Sequence, residues 1–179
     1  MEFKNLKAED YPAFLKLYNS AFPADERRLY KDTEHLASFI HMKGGKFHVF
    51  TVEDGGEFLG FLSYWVFEGY VYVEHFAVEP EHRGRNIGRK MLHHLFEEVS
   101  PDVLIEVELP ETDEARRRIR FYEQNGFRVR SDFEYVQPPY GEGQKPLKML
   151  LITHGNVDLH NERSIADMLA EVYNVNRGV

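Results

Sequence analysis

Apolar residues recur along the chain at two spacings, one helical and one strand-like. Phe14, Leu17, Tyr18 and Ala21 lie three or four positions apart, which is typical of one face of an amphipathic helix. The runs at 58–67 and 70–78 are short, aromatic and β-branched, which is typical of strands. The whole pattern predicts strands at 3–7, 47–53, 58–67, 70–78, 103–109, 127–137 and 147–153, and helices at 10–21, 32–42, 87–99, 112–124 and 161–174.

The order of these elements predicts the fold class. Some consecutive strands are joined by short glycine turns, such as DGGE at 54–57, whereas others are separated by a helix. Hairpin turns give antiparallel neighbours, and helical crossovers give parallel ones. We therefore expect an α/β (α+β) domain with a mixed central sheet flanked by helices.

Composition indicates one soluble globular domain with an acidic net charge and no cysteine chemistry. The chain has 179 residues, 42% of them hydrophobic, and a net charge of -8. That charge argues against nonspecific nucleic-acid binding and favours cationic or neutral substrates. The chain has no cysteine, which excludes a disulfide, a thiolate nucleophile and a cysteine-based zinc site.

The location and metal content are predicted from absences in the sequence. Residues 1–20 lack a basic start followed by an apolar block, and no apolar run approaches the roughly 18 residues of a membrane helix. The missing cysteines suit a reducing compartment. We expect a cytoplasmic protein that binds no membrane. We also expect no metal site, since His93 and His94 are adjacent rather than spaced to chelate on one helix face.

The segment EPEHRGRNIGRK, at 79–90, is the most informative part of the chain. It follows the apolar run VYVEHFAV and precedes a helical pattern. A turn of this kind directs backbone N–H groups at one point, beside the positive end of the helix dipole. Arg83, Arg85, Arg89 and Lys90 add positive charge there, against the acidic background. The turn predicts an anion site, most simply for a phosphate; the alternative is a solvated connection with surface arginines.

Two segments together resemble the GNAT superfamily of acetyl-CoA-dependent N-acetyltransferases. EHFAVEPEHRGRNIGRKML is similar to the family's acyl-CoA signature, Arg/Gln-x-x-Gly-x-Gly/Ala, and RIRFYEQNGFR resembles the helix–turn–strand that ends the family core. Asn86 stands where the signature has glycine, and asparagine tolerates a positive φ better than most residues. The resemblance implies a mostly antiparallel GNAT-like sheet within a domain over 1–154. An extension at 155–179 would add a C-terminal helix packed on the same domain.

The resemblance also implies a reaction and a co-substrate. The protein would transfer an acetyl group from acetyl-CoA to a primary amine by direct attack in a ternary complex, without a metal. The backbone of strand 70–78 would bind the pantetheine arm as another strand would. The implied cofactor-binding residues are Phe76, Ala77, Val78, Arg83, Gly84, Arg85, Asn86, Ile87, Gly88 and Arg89.

Glu74 and Tyr122 are the implied catalytic residues. Glu74 lies in an otherwise apolar strand and is the candidate general base; the alternative is a glutamate paired with backbone or with a basic partner. Strand alternation predicts that His75 points to the opposite face. Tyr122 is the candidate general acid, although its spacing from Ala115 and Ile119 also makes it part of a buried helix face.

The acceptor is expected to be a small-molecule or peptide amine, and the protein a monomer or a homodimer. The candidate acceptor residues are Glu26, Arg27, Glu106 and Tyr140. Glu26 and Arg27 could instead belong to a charged turn between helices, and Glu106 could simply be solvated. Two other functions stay open: a non-catalytic acyl-CoA-binding or regulatory module, and a transferase that uses a different acyl-CoA.

Overall fold

A single mixed sheet with helices on both faces forms the protein. The computed structural model describes residues 1–175, without the side chains of Glu162 and Ser164. The strands are β1 (Glu2–Asn5), β2 (Phe47–Asp54), β3 (Glu57–Phe67), β4 (Tyr70–Val78), β5 (Val103–Glu108), β6 (Arg128–Val129), β7 (Tyr135–Gln137) and β8 (Leu147–His154). The α-helices in this part of the chain are α1 (Tyr11–Ala21), α2 (Thr33–Met42), α3 (Ile87–Glu98), α4 (Asp113–Gln124) and α5 (Glu162–Tyr173).

The sheet is mostly antiparallel, as the resemblance implies. Its strand order is β1-β2-β3-β4-β5-β8-β6, and β7 pairs with another stretch of β8. The pair β4–β5 is parallel, and the other neighbouring pairs are antiparallel. The parallel pair follows from the helical crossover through α3, which returns the chain to the same end of the sheet.

The central strands are apolar on both faces because each face is covered. Phe14 of α1, Leu36 of α2 and Met168 of α5 pack in one cluster on the first face. Met91 of α3 and Ile119 of α4 pack in a second cluster on the other face. A strand buried on both sides reads as a continuous apolar run, which explains the pattern of β3 and β4.

Two helix starts are fixed by side chains that cap them. Asp32 accepts a hydrogen bond from the backbone N–H of His35 at 2.8 Å, and Thr112 accepts one from Ala115 at 3.0 Å. Each cap satisfies one of the N–H groups that a first helical turn leaves without a partner. The helices therefore begin within a residue or two of the positions that the sequence predicts.

The prediction of one strand at 127–137 is wrong. The chain pairs with β8 through Arg128 and Val129, leaves the sheet, and pairs with β8 again from Tyr135. Between them the Arg130 guanidinium binds the Asp132 carboxylate at 3.0 Å, and a turn closes when the N–H of Phe133 donates to the carbonyl of Arg130. This local ion pair and turn replace the sheet pairing that a continuous strand would need.

Candidate active site

A gap between β4 and β5 forms the main cavity of the described structure. The two strands pair from Val71–Val103 to Val73–Ile105 and then separate. A cavity of about 670 Å³ opens where they part, and its walls include the end of α1, the turn before α3, and α4. Beyond Val73, the edge of β4 therefore faces the cavity instead of a neighbouring strand.

The turn before α3 presents backbone donors to one end of the cavity. Asn86 precedes the helix with φ 60°, in the left-handed region, and its side chain does not cap the helix. The first N–H groups of α3 have no acceptor within the helix. Gly84, Asn86 and Gly88 line the cavity beside them. Asn86 thus adopts the conformation for which the family signature uses glycine.

Gly88 lets the start of α3 pack closely against two aromatic rings at this end of the cavity. A Cβ atom at Gly88 would lie 3.2 Å from ring carbons of both Phe76 and Phe121, closer than most such contacts. The absent side chain therefore lets the helix backbone lie against the two rings. A backbone that stays bare beside a cavity is what close approach to a phosphate group requires.

Positive charge surrounds the same end. Arg83 and Arg89 are exposed and line the cavity beside the turn. Arg117 and Arg118 of α4 also line the cavity, and Arg118 forms ion pairs with Glu108 and Glu114. Arg85 lies outside the lining residues and contacts the ring Nδ1 of His82 at 3.3 Å. Backbone donors, a helix N-terminus and arginines form a donor set that fits a diphosphate such as that of coenzyme A.

The free edge of β4 extends from this end towards the middle of the cavity. Phe76, Ala77 and Val78 line the cavity, and Phe76 and Val78 are partly exposed. Extended backbone without a strand neighbour can bind an amide-bearing chain as it binds another strand. The structure thus brings together the predicted cofactor residues, except for Arg85.

A β-bulge in β4 brings Glu74 and His75 to the same face of the sheet. Val73 pairs with Tyr64 and His75 pairs with Ser63, so Glu74 is an extra residue. The ring of His75 packs at 4.7 Å from that of Tyr18, on the face where Glu74 also finds its partners. The expectation that strand alternation separates the two residues is therefore wrong, because a bulge interrupts the alternation.

Glu74 is engaged by a buried arginine. Its side chain is 1% exposed and forms an ion pair with Arg28, and it accepts a hydrogen bond from Nε1 of Trp65 at 3.0 Å. Burial opposes ionisation, but the charge of Arg28, together with His75, lowers the pKa of Glu74 to about 2. The sequence does not predict the role of Arg28, because a pair between residues 46 positions apart leaves no local pattern.

Tyr122 joins the core and the cavity. The residue is 5% exposed, packs with Ile119 in the second core cluster, and lines the cavity. Burial raises the pKa of its hydroxyl above the ordinary value of 10.0, so the hydroxyl keeps its proton at neutral pH. A protonated phenol beside the cavity can donate a proton or a hydrogen bond.

The other half of the cavity is acidic and aromatic. Glu26, Glu106 and Tyr140 line it, as the acceptor prediction requires. Burial raises the pKa of Glu106 to about 7 and also raises that of Glu26. Arg27 instead lines a neighbouring shallow depression, and its Nε donates to the carbonyl of Phe22 at 3.0 Å.

Other lining residues were not predicted as site residues. Phe121, His75 and Gln137 line the cavity, although no local pattern in the sequence marks them as site residues. Glu108 also lines the cavity and forms an ion pair with Arg118. Glu106 and Glu108 alternate with apolar residues in β5, which places their two side chains on the same face of the strand.

Residues 1–175 contain neither of two features that would indicate other functions. No group of three or more histidine, aspartate or glutamate side chains in this range could hold a metal ion. No helix in it has the length and apolar character needed to cross a membrane.

Comparisons with known proteins give the family. A sequence profile described as an acetyltransferase (GNAT) domain matches residues 45–129. A Bacteroides thetaiotaomicron protein assigned to the GNAT family as an acetyltransferase is 34% identical, with a TM-score of 0.85, and the match covers 98% of this chain and 100% of that one. The search of curated proteins found no match.

More distant solved structures share the fold. A ribosomal-protein-alanine N-acetyltransferase from Brucella melitensis has a TM-score of 0.65 and 23% identity over 88% of this chain and 100% of that one. A Salmonella typhimurium protein assigned as an acetyltransferase and solved with its cofactor acetyl-CoA has a TM-score of 0.60 and 22% identity over 89% and 98%. On the strength of the match to the Bacteroides protein, the chain belongs to the GNAT family of acetyltransferases.

Proposed function

We propose that the protein is an N-acetyltransferase that moves the acetyl group of acetyl-CoA to a primary amine. The amine would attack directly while both substrates are bound. One observation carries this proposal: the gap between β4 and β5 joins an anion-binding helix start and an acidic pocket in a single cavity. Holding the two reactants together in one cavity can itself supply much of a rate enhancement.

The cofactor half would bind acetyl-CoA, which supplies a thioester as the acyl donor. The N–H groups at the start of α3 would meet the diphosphate, with Arg83 and Arg89 adding charge. The free backbone of Phe76 and Val78 would bind the amides of the pantetheine arm. Asn86 fits this assignment because its left-handed conformation leaves the turn intact.

The acidic half favours an acceptor that arrives as an ammonium ion. Glu26 and Glu106 line it, and the whole chain carries a net charge of -8. Negative charge in a cleft raises the local concentration of cations. An ordinary lysine-type amine has a pKa of about 10.4, so the bound ammonium must lose a proton before its nitrogen can attack.

The sequence predicts Glu74 as the general base that deprotonates the amine and Tyr122 as the general acid that protonates the departing sulfur. Tyr122 keeps its hydroxyl proton at neutral pH and so suits donation to the departing sulfur. Glu74 is ionised, but its carboxylate already holds Arg28 and Trp65. To accept a proton it would have to weaken a buried ion pair, and such pairs are costly to disturb.

The acceptor could be a small amine or the amino terminus of a protein. Spermidine and ribosomal-protein N-acetyltransferases share this fold. The cytoplasmic location, the choice between monomer and homodimer, and the division at residue 154 stay predictions. Of the predicted extension, residues 176–179 lie outside the described part of the chain.

The test is a turnover assay with a broad panel of amines. The protein is incubated with acetyl-CoA and polyamines, aminoglycosides, amino acids or peptides, and free thiol is followed. We expect turnover with a cationic amine and a thermal shift on adding acetyl-CoA. Binding without turnover would favour the non-catalytic alternative, and the absence of any thermal shift would refute the cofactor assignment. Longer acyl-CoA donors in the same assay test the alternative of a transferase that uses a different acyl-CoA.

A further inference from the structure

The last turn of α5 contacts Glu106, a residue that lines the acceptor half of the cavity. The hydroxyl of Tyr173 lies 3.0 Å and 2.9 Å from the two carboxylate oxygens of Glu106. Tyr173 is 5% exposed, and its ring packs at 4.8 Å from that of Tyr140. This helix lies beyond the segment 45–129 that the family profile matches. An element outside the matched segment thus contacts a carboxylate of the cavity.

Glu106 differs from Glu74 in the kind of partner it has. The Tyr135 hydroxyl donates to Glu106 Oε1 at 2.5 Å, and the single O–H of Tyr173 is within hydrogen-bond distance of both oxygens. No described residue forms an ion pair with Glu106, whereas Glu74 is paired with Arg28. A carboxylate held by neutral donors can gain a proton without leaving a cation unpaired.

The ionisable groups that face Glu106 come from each element packed around it. Tyr72 and Glu74 belong to β4, Tyr135 to β7 and Tyr173 to α5. Tyr140, in the loop before β8, lies with its hydroxyl 3.5 Å from that of Tyr173. Burial is the largest influence and raises the pKa of Glu106, the tyrosine hydroxyls lower it, and Glu74 raises it again. The result is a pKa of about 7, the range in which a proton acceptor works best at neutral pH.

We propose that Glu106 takes the proton from the acceptor amine and that Tyr173 is a positioning residue that holds the Glu106 carboxylate. This inference rests on the proposed function. Glu106 lines the same cavity as Tyr122, the candidate proton donor. Glu74 then has a structural role, because its charge balances the buried charge of Arg28. The C-terminal helix is, on this view, a working part of the active site.

The proton and electron balance of the step is simple. A proton passes from the ammonium nitrogen of the acceptor to Glu106 and leaves a neutral amine with a free electron pair. That pair forms the new C–N bond while the C–S bond of the thioester breaks and its electrons leave with sulfur. Tyr122 gives its hydroxyl proton to the departing sulfur, and the second proton that leaves nitrogen restores the Tyr122 hydroxyl. One proton is released overall, from Glu106 to solvent.

The first experiment compares two carboxylate variants in the turnover assay. Glu106→Gln should lower kcat/KM by about 100-fold or more, the usual size of a lost general base, and should abolish the acidic limb of its pH profile. Glu74→Gln, if it folds, should retain a limb near pH 7. Full activity of Glu106→Gln with an unchanged limb would overturn the proposal.

The second experiment tests Tyr173 by removing only its hydroxyl. Tyr173→Phe keeps the ring in place and takes away a hydrogen bond that favours the ionised carboxylate. The acidic limb should therefore move to higher pH by about one unit, a typical effect for a hydrogen bond to a charged group. The matched control is Tyr64→Phe, a half-buried tyrosine on β3 that stacks on His48, away from this cluster. The control should leave the limb in place.

A titration that needs no turnover separates this proposal from the proposed function. Carbon-13 NMR of glutamate-labelled protein should show a carboxyl resonance that titrates near pH 7 and is absent in Glu106→Gln. Its midpoint should rise in Tyr173→Phe and stay fixed in Tyr64→Phe. An unchanged midpoint in Tyr173→Phe would overturn the role of Tyr173, whether or not the protein acetylates any amine. If no amine is acetylated, the acetyl transfer and the role of Glu106 in it both fail.

Discussion

Arg28 and Glu74 form a buried ion pair that ties together three separate parts of the chain. The side chains are 11% and 1% exposed. The Arg28 guanidinium also donates to the carbonyl of Val172 in α5 and lies 4.6 Å from the ring of Phe39 in α2. The pair therefore connects the segment after α1, the bulge in β4 and the C-terminal helix beside the cavity.

Breaking this pair from the arginine side should be strongly destabilising. Arg28→Met leaves the Glu74 charge buried without a cation, which typically costs about 3–5 kcal/mol. Urea unfolding at pH 7 measures the loss. The double variant Arg28→Met with Glu74→Gln should recover part of it, since neither charge remains. Strictly additive losses would show that the two side chains do not depend on each other.

The pH dependence of Glu74 has a definite sign. Its pKa falls from an ordinary 4.5 to about 2 in the folded protein, so the unfolded chain binds more protons between these values. The stability that the ionised group contributes is full above pH 4.5 and is lost as the pH falls towards 2. The stabilities of wild type and Glu74→Gln should therefore converge over that interval, as measured by urea unfolding at each pH.

Asn86 should be replaceable by glycine but not by a β-branched residue. The residue has φ 60°, a conformation that costs L-residues about 1–2 kcal/mol and glycine almost nothing. Asn86→Gly should keep the Kd for acetyl-CoA within about threefold, whereas Asn86→Val should weaken binding by about 5- to 30-fold. Isothermal titration calorimetry with acetyl-CoA measures both. A tenfold loss in Asn86→Gly would mean that the asparagine side chain itself contacts the ligand.

Much of the fold follows from local patterns in the sequence. The periodic runs place β4 and α3, and the side chains of Asp32 and Thr112 mark two helix starts. The glycine-bearing turn predicts the anion-binding end of the cavity because its backbone donors are close together in sequence. These features depend on residues that are neighbours in the chain, so they can be predicted from the sequence.

The remaining parts of the site depend on contacts between distant residues. The bulge that turns Glu74 and His75 to one face comes from the pairing of β4 with β3, and no residue type signals it. Arg28 meets Glu74, and Tyr173 meets Glu106, only once the sheet and helices have packed. Periodicity marks such residues as buried or aromatic but cannot say which partner each one finds.

Tyr122→Phe should lower the rate of the chemical step without weakening cofactor binding. The ring stays in the second core cluster, and only the donor to the departing sulfur is lost. General acids typically contribute about 10²–10⁴-fold, and a thiol pKa of about 8.5 makes the lower end the expected loss in kcat. Steady-state kinetics and acetyl-CoA titration measure the two effects, with Tyr64→Phe as the control. An unchanged kcat would remove Tyr122 from the mechanism.

Glu106 should give a pH dependence of stability opposite in sign to that of Glu74. Its pKa rises from an ordinary 4.5 to about 7, so the folded protein binds more protons than the unfolded chain in this interval. Stability should fall as the pH rises from 4.5 to 7 and then level off. Glu106→Gln removes this loss, and above pH 7 it should be more stable than wild type by about 1–3 kcal/mol. Urea unfolding at pH 4.5 and pH 8 measures the difference, with Glu74→Gln as the oppositely signed control. If Glu106→Gln is no more stable at the higher pH, burial does not disfavour the ionised carboxylate as the raised pKa of Glu106 requires.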